Sequence, residues 1–335
     1  MQDKTRIQLT ASEISGLWGQ FINDSTSVCV LSHFLAKVED EEVKPVIEFA
    51  LLTSKKHLSI MKQIFHSNGF PTPIGFTDKD VNVNAPKLFS DTFVLMYLRH
   101  KSILVMAASS LAIGIVTRPD CVAFHKEVLK GAVLLQDQTR ELMLKLGIYI
   151  RPPYISRPDR VDFVQKQSFL SGFIGEIRPL TSLEVTHLFI NVQKNAIGKA
   201  LIMAFAQCAK NDEVMKYFLR GKKIAHKHMD LFSNILKNDD LPAPMSWDTA
   251  VTDSTSPPFS DKLMLFHITA MIAAGIGNYG VAMGASPRRD IGMKYASLIP
   301  EIALYAEDGA NIMIKNGWLE EPPQTDNREK LAKQK

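Results

Sequence analysis

The stretch "LTASEISGLW", which starts at Leu9, is matched by "LTSLEVTHLF", which starts at Leu180. Both contain the pattern Thr-x-x-Glu, which is typical of a capping box in the first turn of a helix. Apolar residues then recur three and four positions apart, as in Ile14, Leu17 and Trp18, which predicts an amphipathic helix. The same helix start therefore occurs twice in one chain.

The similarity extends far beyond these helix starts. Residues 9–73 align with residues 180–244 without a gap, and about one position in five is identical. After a slip of one residue in a loop, residues 78–153 align with residues 248–323. A repeat of this length predicts two copies of one domain, because the units of a solenoid protein are much shorter.

Each copy contains four segments with helical periodicity, and no segment shows the strict alternation of a half-buried strand. Ser90 and Ser260 are positioned to cap the third helix of their copies. We expect helices at about residues 11–38, 43–68, 90–116 and 121–147, and at about 182–209, 214–238, 260–285 and 290–317.

Loop lengths predict how the helices connect. Short loops join the first helix to the second and the third to the fourth, whereas about twenty residues separate the second from the third. One long crossover between two hairpins is the ferritin-like arrangement, so we predict an all-α protein of two tandem ferritin-like four-helix bundles. The expected boundaries are 1–153 for the first bundle, 154–179 for a linker, 180–323 for the second bundle and 324–335 for a charged tail.

Composition limits the function classes. The chain has 335 residues, 46% of them hydrophobic, and a formal net charge of +4. Its basic residues are scattered, which argues against nucleic-acid binding. Three cysteines without a Cys-x-x-Cys motif indicate a reduced, cytoplasmic protein.

One apolar segment competes for a membrane interpretation. "LMLFHITAMIAAGIGNYGVAMGA", from Leu263 to Ala285, lacks charged residues and is long enough to cross a bilayer. Its counterpart in the first copy contains Arg99 and Lys101, which are costly inside a membrane. We therefore expect a helix buried at the centre of a bundle and no membrane span. The pattern Gly280-x-x-x-Gly284 permits close helix approach, either within the bundle or across a homodimer formed through helices.

Several longer motifs are similar to those of a known family. They are "RPLTSLEVTHLF" from Arg178, "VTDSTSPPFSDKLMLFH" from Val251, "SPRRD" from Ser286 and "YAEDGANIMIKNGWLEEPP" from Tyr305. These motifs resemble an uncharacterised family of spore-forming bacilli, whose members are tandem ferritin-like domains of unknown function related in fold to the spore coat protein F group. The resemblance implies the fold and a cytoplasmic or spore context, and it supplies no catalytic residue.

A ferritin-like fold raises the question of a metal centre. Di-iron members place one Glu on each of two helices and Glu-x-x-His on each of the other two. Here the motif positions read Ser54-x-x-His57 and Ala225-x-x-His228. The histidines are present but their carboxylates are missing, and without bridging carboxylates a dinuclear centre is not expected.

A single cation is the remaining metal hypothesis. In the first copy, Asp24, His57 and Asp137 are the candidate ligands for one iron, manganese or zinc ion, and His228 and Glu307 are candidates in the second. The alternative is that both histidines are ordinary core or surface residues with no ligand.

These observations favour a non-enzymatic structural or interaction protein of a bacillus cell, with a possible role in the spore. The alternative is a ferritin-like protein that binds a metal or a small ligand at a degenerate mid-bundle site. A redox enzyme would need carboxylates that the sequence lacks.

Overall fold

The protein is described by a computed structural model, which covers residues 7–173 and 177–333. Within these ranges it forms nine α-helices and no β-strand. The helices are α1 (Ala11–Lys37), α2 (Lys44–Ser67), α3 (Asp91–Ile115), α4 (Pro119–Lys145), α5 (Ser182–Cys208), α6 (Asp212–Lys237), α7 (Asp261–Gly284), α8 (Arg289–Lys315) and α9 (Arg328–Ala332).

The eight long helices lie where the sequence predicted them, and all sixteen of their ends fall within three residues of the expected positions. The predicted caps are also present. In α5, the Glu184 carboxylate accepts the backbone N–H of Thr181, and the Thr181 hydroxyl oxygen accepts the backbone N–H of Glu184. In α7, the Ser260 hydroxyl oxygen accepts the backbone N–H of Leu263.

In the first half, α1 and α4 each contact both α2 and α3. Glu13 at the start of α1 accepts the backbone N–H of Arg118, which precedes α4. Asp91 at the start of α3 accepts the backbone N–H of Glu39, just beyond α1. Therefore α1 runs antiparallel to α2 and α3, and the segment between α2 and α3 returns along the helices.

The second half repeats this arrangement. Glu184 at the start of α5 accepts the backbone N–H of Arg288, which precedes α8. Asp261 at the start of α7 accepts the backbone N–H of Asn211, just beyond α5. The internal duplication is thus a duplication of contacts as well as of sequence.

The two halves share part of their hydrophobic core. One cluster draws residues from both halves, and a smaller cluster lies in each half. At the junction, Phe89 lies 6.4 Å from Phe205 between ring centroids, and the Tyr97 ring lies 5.6 Å from His267. Large aromatic side chains next to both crossover segments make the shared cluster possible.

The crossover segments also pair with each other. Val81 forms an isolated β-bridge with Phe259, and Phe89 forms one with Val251. Val81 and Val251 occupy equivalent positions of the two copies, and so do Phe89 and Phe259. The second bridge is therefore the first bridge with the two copies interchanged. The halves are therefore related by an approximate two-fold axis.

The apolar segment Leu263–Ala285 is only partly buried, and this corrects the prediction of a central buried helix. Two helices, α3 and α7, are long and apolar enough to cross a membrane, with mean hydropathies of 1.2 and 1.3. Only 22% of the residues in the apolar stretch of α3 are buried, and only 28% of those in the apolar stretch of α7. The first turns of α7 enter the shared core, and its later turns lie largely at the surface.

Candidate functional site

A polar network crosses the middle of the second half. The ring of His228 is 1% exposed and lies between two partners. Its Nε2 is 2.8 Å from Oε2 of Glu301, and its Nδ1 is 3.0 Å from the hydroxyl of Tyr279. Asn195 donates its side-chain N–H to the same hydroxyl at 2.9 Å. Helices α5, α6, α7 and α8 each supply one member of this network.

The network assigns a protonation state to His228. Burial lowers the pKa of this imidazole, and hydrogen bonding to Glu301 only partly opposes that effect. The neutral ring donates a hydrogen bond from Nε2–H to Glu301, and its Nδ1 accepts a hydrogen bond from the Tyr279 hydroxyl. Both ring nitrogens are therefore used within the protein.

The equivalent place in the first half is built differently. Nδ1 of His57 lies 3.3 Å from Oδ2 of Asp24, and both side chains are 5% exposed. Within the part of the chain that the structure describes, neither ring nitrogen of His57 has a hydrogen-bond partner, whereas Asp24 Oδ2 accepts a hydrogen bond of 2.8 Å from Gln20. Asp24, His57 and Lys101 line a cavity of about 30 Å³, which has room for about two waters.

The duplication explains why His57 lacks the partners of His228. Ser109 stands where the second copy has Tyr279, and Gly131 stands where it has Glu301. The Ser109 hydroxyl is also buried without a partner. Two small residues thus leave the space that tyrosine and glutamate fill in the other half.

The structure brings Asp24 and His57 together but does not bring Asp137 to them. On α4, Val128, Gly131, Ala132 and Leu135 line the cavity. Asp137 is two residues further, about 200° around the helix, and it pairs with Arg140 at 2.9 Å on the surface. The structure therefore places Asp137 outside the cavity that Asp24 and His57 line.

In the second half, the predicted Glu307 does not lie beside His228. Glu307 is exposed and lies two residues beyond the buried Tyr305, so it points away from His228. Glu301 is the carboxylate that meets His228. Among residues 7–173 and 177–333, no three or more His, Cys, Asp or Glu side chains are gathered in a way that could hold a metal.

Sequence reasoning missed Glu301, Tyr279 and Lys101. The buried positions Leu298, Ile302, Tyr305 and Gly309 show the inward phase of α8, and Glu301 borders that stripe. The spacing of these buried residues would have favoured Glu301 over Glu307 as the carboxylate of α8 that faces inward. No sequence signal pairs Tyr279 with His228, because they lie on different helices.

Lys101 gives the first-half cavity a cationic group. Burial lowers the pKa of its amine, and the charge of Asp24 opposes this effect. A metal ion bound by Asp24 and His57 would be repelled by the charged lysine. The arrangement therefore suits a neutral or hydrated polar site better than a cation site.

A second candidate site lies on the surface of α3 and α7. The α3 face consists of the exposed residues Ala107, Leu111 and Gly114, and the α7 face consists of the exposed residues Ala273, Gly277, Val281 and Gly284. The last three residues of the α7 face are the duplication counterparts of the α3 face. Leu111 is 67% exposed and Val281 is 65% exposed.

Comparison with known proteins confirms the family inferred from the motifs. A model of the family described as "Protein of unknown function (DUF3231)" matches residues 1–161 and again residues 168–331. No curated protein matches the chain. A solved structure described as a "putative spore coat protein" from Bacillus halodurans C-125 is similar, with 19% identity and a TM-score of 0.42, and the match covers 46% of this chain and 100% of the other.

Proposed function

The chain belongs to the DUF3231 family of unknown function, and we propose that it is a non-enzymatic structural component of a bacillus cell or spore that assembles with a second copy of itself. In this proposal each half is a ferritin-like four-helix bundle, with domain limits at 1–153 and 180–323. The antiparallel helix order and the long return segment between α2 and α3 support the ferritin-like connectivity.

The observation that carries the proposal is the pair of exposed α3 and α7 faces. Contiguous apolar surface on a soluble protein commonly marks an interaction site. The small residues Ala273, Gly277 and Gly284 of the α7 face let another helix approach closely. The same faces occur in both copies, as expected for a surface kept through a duplication.

The packing of α7 favours a protein partner over a bilayer. Along its length α7 contacts α8, whose surface carries Lys294, Glu307 and Asp308. Placing α7 across a membrane would bring these charges into the hydrocarbon layer, where they are costly. Because α7 lies beside the charged surface of α8, its exposed face fits an interface with another protein better than a bilayer.

A second copy of the chain is the partner that the structure supports. The first two turns of α3 and α7 already form part of the contact between the two halves, where the Tyr97 hydroxyl lies 3.4 Å from His267 Nε2. The exposed faces continue along the same two helices. The surface that joins the two halves of one chain therefore continues into the exposed α3 and α7 faces.

Light scattering after size-exclusion chromatography tests this proposal. We expect the wild-type chain to have twice the 37.4 kDa mass of one copy or a larger multiple. Val281→Glu should raise the dimer Kd at least about tenfold, because a charge would have to be desolvated in the interface. Leu304→Glu is the control, since Leu304 is 63% exposed on α8 outside the two faces.

Several outcomes would overturn the proposal. A monomeric wild type at micromolar concentration would do so, as would equal effects of Val281→Glu and Leu304→Glu. Partition of the wild type, but not of Val281→Glu, into phosphatidylcholine vesicles would identify a membrane as the occupant. Immunoblotting of coat and core fractions of purified spores tests the spore location, and absence from both would refute it.

The alternative function, binding of a single cation, has one observation in its favour. The unpartnered nitrogens of His57 beside Asp24 could accept a ligand. Because Asp137 stays outside and Lys101 is close, we expect less than about 0.1 metal ion per chain in protein purified without chelator. Stoichiometric iron, manganese or zinc that disappears in His57→Ala would favour this alternative.

A further inference from the structure

One cavity lies mainly in the second half and has no role in the function proposed above. Its volume is about 100 Å³, and helices α5 to α8 form most of its wall, with His100 and Leu104 of α3 added from the other half. Its surface is mostly apolar, with Gly198, Ile272 and Ile302 among the lining residues. A cavity of this size and character holds a small organic molecule of about five or six heavy atoms.

Two polar groups on the wall lack a partner. The side-chain oxygen of Asn191 is buried and makes no hydrogen bond with residues 7–173 or 177–333. The half-buried amine of Lys194 has no ion pair and no hydrogen bond with any part of the chain that the structure describes. An unpaired buried charge is unfavourable, so an anion beside Lys194 would be stabilised.

The surroundings of Lys194 are cationic. Burial lowers the pKa of the Lys194 amine to about 8, so it is still mostly charged at pH 7. Burial, with the charges of Lys194 and Arg99, lowers the pKa of His100 to about 3 and keeps that ring neutral. Glu301, the nearby carboxylate of the network, is already bonded to His228 and Lys227.

We propose that the second half binds a short-chain monocarboxylate, with its hydrocarbon body in the cavity between α5 and α8 and its carboxylate against the Lys194 amine. One lysine matches one negative charge, whereas a phosphate would require several donors. The apolar wall matches a chain of about five carbons. The first half cannot bind the same molecule, because its cavity is about 30 Å³ and Asn23 stands at the position of Lys194.

Isothermal titration of the full-length protein with hexanoate at pH 7 tests the proposal. We expect one molecule to bind per chain with a Kd of about 1 mM or lower. Hexan-1-ol and hexylamine have the same chain length without the negative charge, and each should bind at least about tenfold more weakly.

Three variants locate the site. Lys194→Met should weaken hexanoate binding about tenfold or more, while Lys194→Arg should retain it. Gly198→Leu should abolish binding by filling the cavity, because the nearest atom to an added Cβ is Met271 Cε at 4.0 Å. Lys223→Met is the matched control, since Lys223 is exposed on α6 and lies outside the cavity.

Circular dichroism shows whether each variant is folded. If Lys194→Arg is folded and still binds hexanoate, the weaker binding of Lys194→Met is not a general effect of changing this residue. The proposal is overturned if the wild type does not bind hexanoate at 10 mM, on the order of ten times the expected Kd. It is also overturned if hexan-1-ol binds equally well, or if Gly198→Leu binds as the wild type does. None of these outcomes bears on the oligomeric state, so they are independent of the assembly proposed above.

Discussion

At the scale of single residues, the two glutamates of the capping boxes hold each half together. Glu13 and Glu184 are both 0% exposed, and each accepts backbone N–H groups from two separate helix ends. Arg178 adds two hydrogen bonds to Glu184. Burial alone would raise the pKa of both carboxyls, but these hydrogen bonds hold each at about 2.

This predicts a loss of stability in acid. In the folded state the two carboxyls have pKa values below the ordinary 4.5, so their stabilisation is complete above about pH 4.5 and is lost as the pH falls towards 2. Glu184→Gln should lower the free energy of unfolding by about 2 kcal/mol at pH 7 and much less at pH 2.5. Urea denaturation at several pH values measures this, with the exposed Glu41→Gln as the control. An equal loss at both pH values would contradict the argument.

The buried histidines show what sequence can say about a residue. The motif spacing put His57 and His228 at equivalent positions of the two copies and left open whether they lie in the core or at the surface, and the structure buries both. Whether each has partners depends on residues 109 and 131 in one copy and 279 and 301 in the other. Those residues come from other helices, so only the folded chain shows that His228 is satisfied and His57 is not.

At the scale of helices, glycines set how closely α6 and α8 approach. The Tyr217 and Tyr305 rings stack at 4.1 Å, and each hydroxyl donates to the backbone oxygen of the other residue at 3.0 Å. A Cβ at Gly221 would collide with the Tyr305 hydroxyl, and one at Gly309 would lie 2.6 Å from the Tyr217 hydroxyl. The tyrosine pair therefore requires glycine on both helices.

Alanine substitutions should consequently have opposite effects at two helical glycines. Gly309→Ala should lower the free energy of unfolding by about 1–3 kcal/mol, because the added methyl overfills a packed contact. Gly19→Ala on α1 should raise it by up to about 1 kcal/mol, since no described atom lies within 4 Å of the added Cβ and alanine favours the helix. Thermal denaturation of both variants measures the difference. Equal effects would show that α6 and α8 can move apart.

At the scale of the whole molecule, the shared core couples the two halves. Phe89 is 2% exposed, stacks on Phe93 at 4.7 Å and approaches Phe205 of the other half. Phe93 in turn lies 6.1 Å from Trp247. A change in the packing of Phe89 and Phe93 in the first half therefore alters the surroundings of Trp247 in the second half.

Unfolding should occur in one step for both halves. Phe89→Ala should destabilise the chain by about 3–5 kcal/mol and should shift the tryptophan fluorescence and circular dichroism transitions together. Phe163→Ala is the control, because Phe163 is 82% exposed in the segment between the halves and its loss should change stability by less than about 0.5 kcal/mol. Two separate transitions in Phe89→Ala would show that the halves fold independently.

The sequence by itself determined the duplication, the eight long helices, their caps and the family. These depend on local periodicity, on side chains that bond to the nearest turn and on motif similarity, all of which lie along the chain. Only the tertiary structure decided that the crossover segments pair, that Asp137 and Glu307 point outward, and that α3 and α7 leave apolar faces open. Those outcomes depend on the rotation of each helix about its axis and on contacts between residues far apart in sequence, and spacing along one helix does not specify either.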